Sequence, residues 1–379
     1  PGGGSQELPE KLITGGELGG LIAFRNESLD RAINELGRVA ASMVLTVNAQ
    51  HALGQDLLGS ASGDSAFNAN FFSVANIAPK AVANSNNAGN AVVSASFVTP
   101  PDYGPEVTGG NFFTKLKASD YVLNTNDGTT FNLTRLSDGL SLVSGTLAAV
   151  STYTAQNEGF QLSLASGTFA AGNSFTIQPF RNAASNLEVD SVIAADPRLI
   201  AAALPFRTSP GAVVAGSITN TNTGTATISA GTSAPGFTTS LLPASGITLS
   251  FASNQLSFSG LAVGQTITYK LPGAIEVTGA TSPIPYQQGM KISISGMSFE
   301  MSGTPNSGDK FTLLRNTAGT ADSRNALSLG QLQTKNTMAG EGTQGKATFQ
   351  SAYASLVASN GIKTREMKVT GAAQQAVLD

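Results

Sequence analysis

The 379-residue chain has no cysteine, no tryptophan and one histidine. The missing cysteines exclude structural disulfides, cysteine-based metal sites and thiol nucleophiles. The single histidine, His51, is the one candidate base for a catalytic triad, and it falls inside a helical pattern where a helix or interface role fits better. Charge is scarce as well. Asp, Glu, Lys and Arg make up 12% of the chain, about half the share usual in soluble domains, and residues 208–269 contain none. That segment is rich in Ser, Thr, Asn and Gly, with Ile, Leu, Val and Phe recurring at strand spacing, so it reads as ordered β-structure with uncharged polar surfaces. A net charge of −3, a pI near 5.3 and no basic cluster give no footprint for nucleic acid or an anionic membrane. No apolar run approaches the length of a membrane span.

Motifs for chemistry are equally thin. The glycines at 15–20 follow no strand and lack the lysine or acidic partner of a phosphate cradle. Asn124-Thr125-Asn126-Asp127-Gly128 has a calcium-loop flavour, but Arg135 stands where such a loop carries its last glutamate. The expectation is no enzyme, no cofactor and no metal site. Pro1-Gly2-Gly3-Gly4-Ser5 has neither the basic nor the apolar region of a secretory signal, and the missing initiator Met suggests a fragment.

What is present is helical at both ends. Residues 17–58 carry Leu29, Ile33, Leu36, Ala40, Met43 and Val47 at spacings of 4, 3, 4, 3 and 4. That is a coiled-coil seam, with Glu27, Asp30, Arg31, Glu35 and Arg38 on the wet side. Glycine density places the continuous helix from Leu21 to about Leu58, capped by Gly59. Residues 346–378 offer the partner, with Phe349, Tyr353, Leu356, Val357, Met367 and Val377, and a kink or break expected at Gly361. The seam set is therefore Leu29, Ile33, Leu36, Met43, Val47, Phe349, Tyr353, Leu356 and Met367. Two readings stay open for it: packing between the chain ends, or contact with a neighbouring subunit.

The middle reads as strands. A small-residue linker (60–70) leads to a strand at 91–97 stopped by Pro100-Pro101. Asp127-Gly128 joins runs around Tyr121 and Phe131 as a hairpin, Ser137-Asp138-Gly139 makes a second turn, and strands follow at 160–164 and 174–177. A short helix is expected at 196–204 with Pro197 first. Alternating runs then recur at Ile247/Leu249/Phe251, Leu256/Phe258, Ile267/Tyr269/Leu271, Ile292/Ile294 and Phe299/Met301. An internal repeat ties the two series together. Ser166-Gly167-Thr168, Gly172-Asn173, Phe175-Thr176-Ile177 and Arg181-Asn182 return as Ser302-Gly303-Thr304, Gly308-Asp309, Phe311-Thr312-Leu313 and Arg315-Asn316. Each copy is read as the closing hairpin of a β-domain. A short helix at 325–335 precedes the last helical stretch.

The fold class is thus multidomain α + β: a helical-bundle stalk formed by the N- and C-terminal segments, plus two mainly antiparallel β-domains. The expected division is 1–66 with 316–379 for the stalk, 67–200 for the first β-domain and 201–315 for the second.

Several motifs resemble one family throughout. Gly15-Gly16-Glu17-Leu18-Gly19-Gly20-Leu21, Asn34-Glu35-Leu36-Gly37-Arg38-Val39-Ala40 and Asn48-Ala49-Gln50-His51 open the chain. Ser323-Arg324-Asn325-Ala326-Leu327, Ala347-Thr348-Phe349-Gln350-Ser351-Ala352-Tyr353 and Lys363-Thr364-Arg365 close it. Together with the Gly-Thr…Gly-Asp-x-Phe segments they resemble the hook-associated protein 1 family of the bacterial flagellum, over nearly the whole chain and in the expected order. The resemblance implies an extracellular ring subunit between hook and filament, exported by the flagellar type III route without a cleaved signal. It implies as partners copies of itself, the hook protein, a second junction protein and an export chaperone for a further C-terminal part. It also implies terminal helices beyond those present here, so the chain is expected to stay monomeric. A competing reading, motivated by the uncharged 208–269 stretch, is a surface adhesin or receptor-binding β-module on a helical stem.

Overall fold

A computed structural model describes residues 13, 15–103, 111–317 and 319–378. The expected lead-in at 1–15 lies almost wholly outside the described residues. Helix α1 (Gly16–Phe24) runs through a π-helical turn, Arg25–Leu29, into α2 (Asp30–His51) as one rod. It starts five residues before the expected Leu21 and absorbs Gly16, Gly19 and Gly20. Each glycine costs about 1 kcal/mol, which cooperative propagation from a long existing helix offsets. The rod stops at His51, well short of the expected Leu58. The reason is tertiary: residues 55–57 bond to a distant segment instead, with Gln55 N–H donating to Ala203 O (2.8 Å), Ala203 N–H to Gln55 O (3.1 Å) and Leu57 N–H to Arg198 O (2.9 Å).

The first β-body comprises β1 (Lys80–Ala83), β2 (Val92–Phe97), β3 (Asp102–Tyr103), β4 (Phe112–Phe113), β5 (Tyr121–Thr125), β6 (Phe131–Arg135), β7 (Ser141–Gly145), β8 (Phe160–Ser166) and β9 (Ser174–Gln178). The main sheet has the order β1-β9-β5-β6-β7, and β2 pairs β8 separately. Helix α3 (Leu147–Asn157), absent from the expectation, joins β7 to β8. After the short helix α4 (Ser191–Ala195), the helix expected at 196–204 is a single 3₁₀ turn, Pro197–Leu199.

The second body contains β10 (Phe206–Pro210), β11 (Ala212–Val214), β12 (Ser217–Thr219), β13 (Thr227–Ile228), β14 (Thr232–Ser233), β15 (Ile247–Ala252) and β16 (Gln255–Ser259). It continues with β17 (Ile267–Lys270), β18 (Val277–Ala280), β19 (Ile284–Pro285), β20 (Met290–Ile294), β21 (Met297–Ser302) and β22 (Lys310–Arg315). Its sheets run β10-β22-β15-β16-β19 and β13-β21-β20-β17-β18, with β14 also on β21. Each body closes its own core. Tyr121, Leu123, Leu133, Phe160, Phe175 and Ile177 centre the first, and Phe206, Leu249, Ile292, Met301, Phe311 and Leu313 the second.

The repeat is not a pair of closing hairpins. Strand β8 pairs β2, whereas β9 pairs β1 and β5. Likewise β21 lies in one sheet and β22 in the other. Each copy is an arch crossing between sheets. The matching extends well beyond the repeated motif. Asn87 exchanges two hydrogen bonds with the backbone of Ser174 (2.9 and 2.8 Å), as Asn222 does with Lys310 (2.7 and 2.8 Å). Thr125 pairs with Asn173 and Gly172 as Phe251 does with Asp309 and Gly308. Gly167 and Gly303 both sit at φ +78°, where a β-carbon would press on Asn90 O and Thr225 O. The second body thus repeats the arch and turn of the first, with the β11–β12 hairpin added and strands β17, β18 and β20 where the first body has α3.

Beyond the second body, α5 (Arg324–Gln331) is shorter than the expected 325–335, and α6 (Phe349–Leu378) is one continuous helix with no break at Gly361. Nothing presses on that glycine, and the helix carries it without interruption. Helix α6 packs along the opening rod, with Lys363 Nζ 3.1 Å from Glu27 Oε2. The two chain ends meet as helices.

Candidate assembly surface and the clamp behind it

The inner face of α2 is built from small and polar residues. Asn34, Gly37, Ala41, Val44, Leu45 and Asn48 are buried, and Ala40, Ala41, Val44 and Leu45 join the core of the first β-body. Gly37 allows the closest approach, since a β-carbon there would lie 2.2 Å from Phe180 O. Arg181 then ties the helix down, bridging Asp30 of α2 and Asp120 of the β-body at 2.5 Å each. Burial raises the Asp120 carboxyl above its usual range even though Arg181 opposes this.

The heptad residues face elsewhere. Leu29 and Leu36 are 45% and 42% exposed, and Ile33, Met43 and Val47 are half-buried. On α6, Leu356 is buried and Phe349 half-buried, while Tyr353 and Met367 are exposed. Leu29 and Leu36 thus stay nearly half exposed in the single chain, while α2 turns its small-residue face to the body. The π-turn, Arg25–Leu29, shifts the faces of α1 relative to those of α2 by about 100°. Leu18, Leu21 and Phe24 on α1, and Val357, Ile362 and Val369 on α6, are also exposed. Apolar surface thus lies on both rods, outside the two closed cores.

At the inner end of α2 four stretches are clamped together. Asn48 Oδ1 accepts from Phe71 N–H (3.0 Å) and Phe72 N–H (2.8 Å), and its Nδ2 donates to Phe72 O (2.8 Å). Gln50 Nε2 donates to Asn325 Oδ1 (2.7 Å), whose Nδ2 donates to Ala201 O (2.6 Å). His51 is fully buried beside Phe67 and Phe71. Its Nε2 accepts from Ala201 N–H (2.9 Å) and Nδ1 donates to Ala69 O (3.1 Å). The candidate linker 60–70 is part of this clamp, with Asp64 accepting from Ala61 N–H and from Thr239 Oγ1. The Asn48-Ala49-Gln50-His51 motif is thus structural glue, which a search for apolar seam residues could not find because its bonding side chains are polar.

An apolar cleft of about 340 Å³ opens beside the clamp between Leu45, Leu53, Phe112, Pro101 and Phe237. Its described lining carries no ionisable side chain. Among the described residues no group of three His, Asp or Glu is placed to hold a metal, and no helix is long and apolar enough to cross a membrane. The Asn124–Gly128 segment is a hairpin turn in which Asp127 Oδ1 accepts from Thr129 and Thr130 N–H.

Three family models match this arrangement piece by piece. They are the helical domain of flagellar hook-associated protein FlgK over residues 1–67, the D2-like domain of flagellar hook-associated protein 1 over 82–179, and its D3 domain over 212–315. The chain belongs to the flagellar hook-associated protein 1 family. Flagellar hook-associated protein 1 of Salmonella typhimurium is 34% identical over 169 residues, and that of Escherichia coli K12 is 30% identical over 164. Each alignment covers 42% of this chain and 27% of the relative. The structure of the flagellar hook junction protein FlgK from Burkholderia pseudomallei superposes with a TM-score of 0.78 at 35% identity. That match covers 99% of this chain and 63% of the other, so the chain spans less than two thirds of the hook-associated proteins it resembles. The likeness includes both helical ends and both β-bodies.

Proposed function

We propose that this chain is a structural subunit of the bacterial flagellum that joins hook to filament, acting by assembly and load transfer and not by turnover. The observation that carries the reading is the division of labour between faces of the same rods. Small residues of α2 bury against the chain's own β-body, while Leu29, Leu36, Ile362 and Met367 remain open. An exposed apolar residue transferred into an interface contributes about 25 cal/mol per Å², which outweighs the cost of association once several such residues are shared by each pair of neighbours. We assign residues 1–66 and 316–379 to the assembling stalk, 67–200 to an inner β-domain and 201–315 to an outer one. The seam set Leu29, Ile33, Leu36, Met43, Val47, Phe349, Tyr353, Leu356 and Met367 supplies contacts along the stalk.

On this reading the partners are copies of the same chain in a ring, the hook protein and a second junction protein. Export follows the flagellar type III route, with a chaperone bound to a C-terminal part of the full subunit. Gold labelling of the protein on isolated flagella tests the proposal. Label confined to the boundary of hook and filament is the expected result; label along the filament, or over the cell surface, would overturn it.

A further inference from the structure

We propose that His51 is an acid-sensitive latch that holds the segment joining the two β-bodies against the end of the helical stalk. The segment in question, 197–203, leads from the first body to the second. It is docked on residues 51–57 by the Ala201–His51 bond, the Gln55–Ala203 pair and the Leu57–Arg198 bond. The histidine bond differs from the others because its acceptor is a titratable lone pair. A proton taken from water by Nε2 occupies the pair that receives the Ala201 N–H, and two donors then face each other at 2.9 Å. Nδ1 already donates to Ala69 O, so the ring cannot relieve the clash by changing tautomer. The Ala201–His51 bond is then lost, which loosens the segment on the end of the stalk.

Charged groups around the ring make this transition specific. Asp56, buried, with its Oδ2 unpartnered, acts on the ring from the turn after α2. On the neighbouring elements the carboxylates are engaged elsewhere. Asp64 takes Thr239 and Ala61, Asp196 pairs with Arg198, and Asp322 pairs with Arg324. Burial holds the imidazole below its ordinary value of 6.5 although Asp56 and the Ala69 and Leu199 backbones favour the charged form. The clamp therefore disfavours the proton. A state in which the segment has lifted and the histidine titrates normally gains stability over the docked state as pH falls below 6.5.

His51 is the chain's single histidine, so its NMR titration needs no assignment by mutation. The test follows that resonance together with the amide-exchange protection factors of Ala201 and Ala203 from pH 7.5 to 4.5. The expected result is a midpoint below 6.5, with Ala201 protection falling at least tenfold over the same range. Asp56→Asn, which keeps an acceptor for the Ser60 N–H, is expected to lower the midpoint further. His51→Gln is expected to abolish the pH dependence of Ala201 protection. A wild-type midpoint at or above 6.5 with unchanged protection would overturn the latch. So would a wild-type histidine titration uncoupled from the loss of protection, a result that needs no variant to fold. Persistence of the same transition in His51→Gln would point instead to the buried carboxyls Glu158 and Asp120, whose values are raised.

Discussion

Gly37 and Gly361 look alike in the sequence, as lone glycines inside helical patterns, yet the fold uses them in opposite ways. At Gly37 a β-carbon would meet Phe180 O at 2.2 Å and Phe180 Cβ at 2.8 Å, whereas at Gly361 it would meet nothing within 4 Å. Gly37→Ala must push α2 off the first β-body and is expected to cost about 1–3 kcal/mol, the usual range for overpacking. Gly361→Ala only removes backbone freedom from an exposed helix and should add about 0.5–1 kcal/mol to helix stability. Denaturant midpoints for unfolding of the stalk, compared between the two variants, check both signs. A seam search by large apolar residues passes over positions such as Gly37 because their contribution is the absence of a side chain. The same holds at Gly54, where a β-carbon would strike Asn325 Nδ2 and Ala201 O. Sequence spacing located the rods but selected their outward face.

At the scale of elements, strands with strict alternation were legible: β5, β6, β15, β16 and β20 stand where Tyr121, Phe131, Ile247, Leu256 and Ile292 placed them. Helix α3 was not. Its sequence, Leu147-Ala148-Ala149-Val150-Ser151-Thr152-Tyr153-Thr154, buries little beyond Val150 and Thr154, so no apolar stripe announces it, and its Thr146 cap was the one local signal. The repeat was found but misread, because a short motif does not say which strand its neighbours pair with. The duplication also sets up a comparison. Asn173 in the first body and Asp309 in the second occupy the same buried turn. Burial would raise the Asp309 carboxyl, but N–H donors from Asn306, Thr223 and Gly224 hold it below its usual value. A carboxyl depressed in the folded state stabilises above its unfolded value and loses that contribution as pH falls through the acid range below about 3.8. Asp309→Asn is therefore expected to cost about 1–3 kcal/mol at neutral pH, since a buried backbone donor loses its partner. It should also flatten the acid limb of unfolding for the second body. Acid titration of intrinsic tyrosine fluorescence, with Tyr269 and Tyr286 in that body, reads the difference.

For the molecule as a whole, the rods carry exposed apolar side chains outside the two closed cores, and the assembly proposal makes an asymmetric demand there. Substituting an interface residue that is exposed in the single chain should spare the fold and damage the assembly. Substituting an inward residue should damage the fold first. Leu29→Asp with Leu36→Asp changes two side chains that are nearly half exposed, where stability effects are usually within about 0.5 kcal/mol per site. Val44→Asp places an unpaired carboxylate at a position with no exposure and should cost several kcal/mol. The expected pattern is a Leu29/Leu36 double variant that unfolds at the wild-type denaturant midpoint yet yields cells whose hooks lack filaments, beside a Val44 variant that fails to fold. Swimming assays and electron micrographs of the double variant decide it. Normal filaments on those cells would remove Leu29 and Leu36 from the assembly surface. A parallel collapse of stability would show that the two leucines belong to the chain's own packing after all.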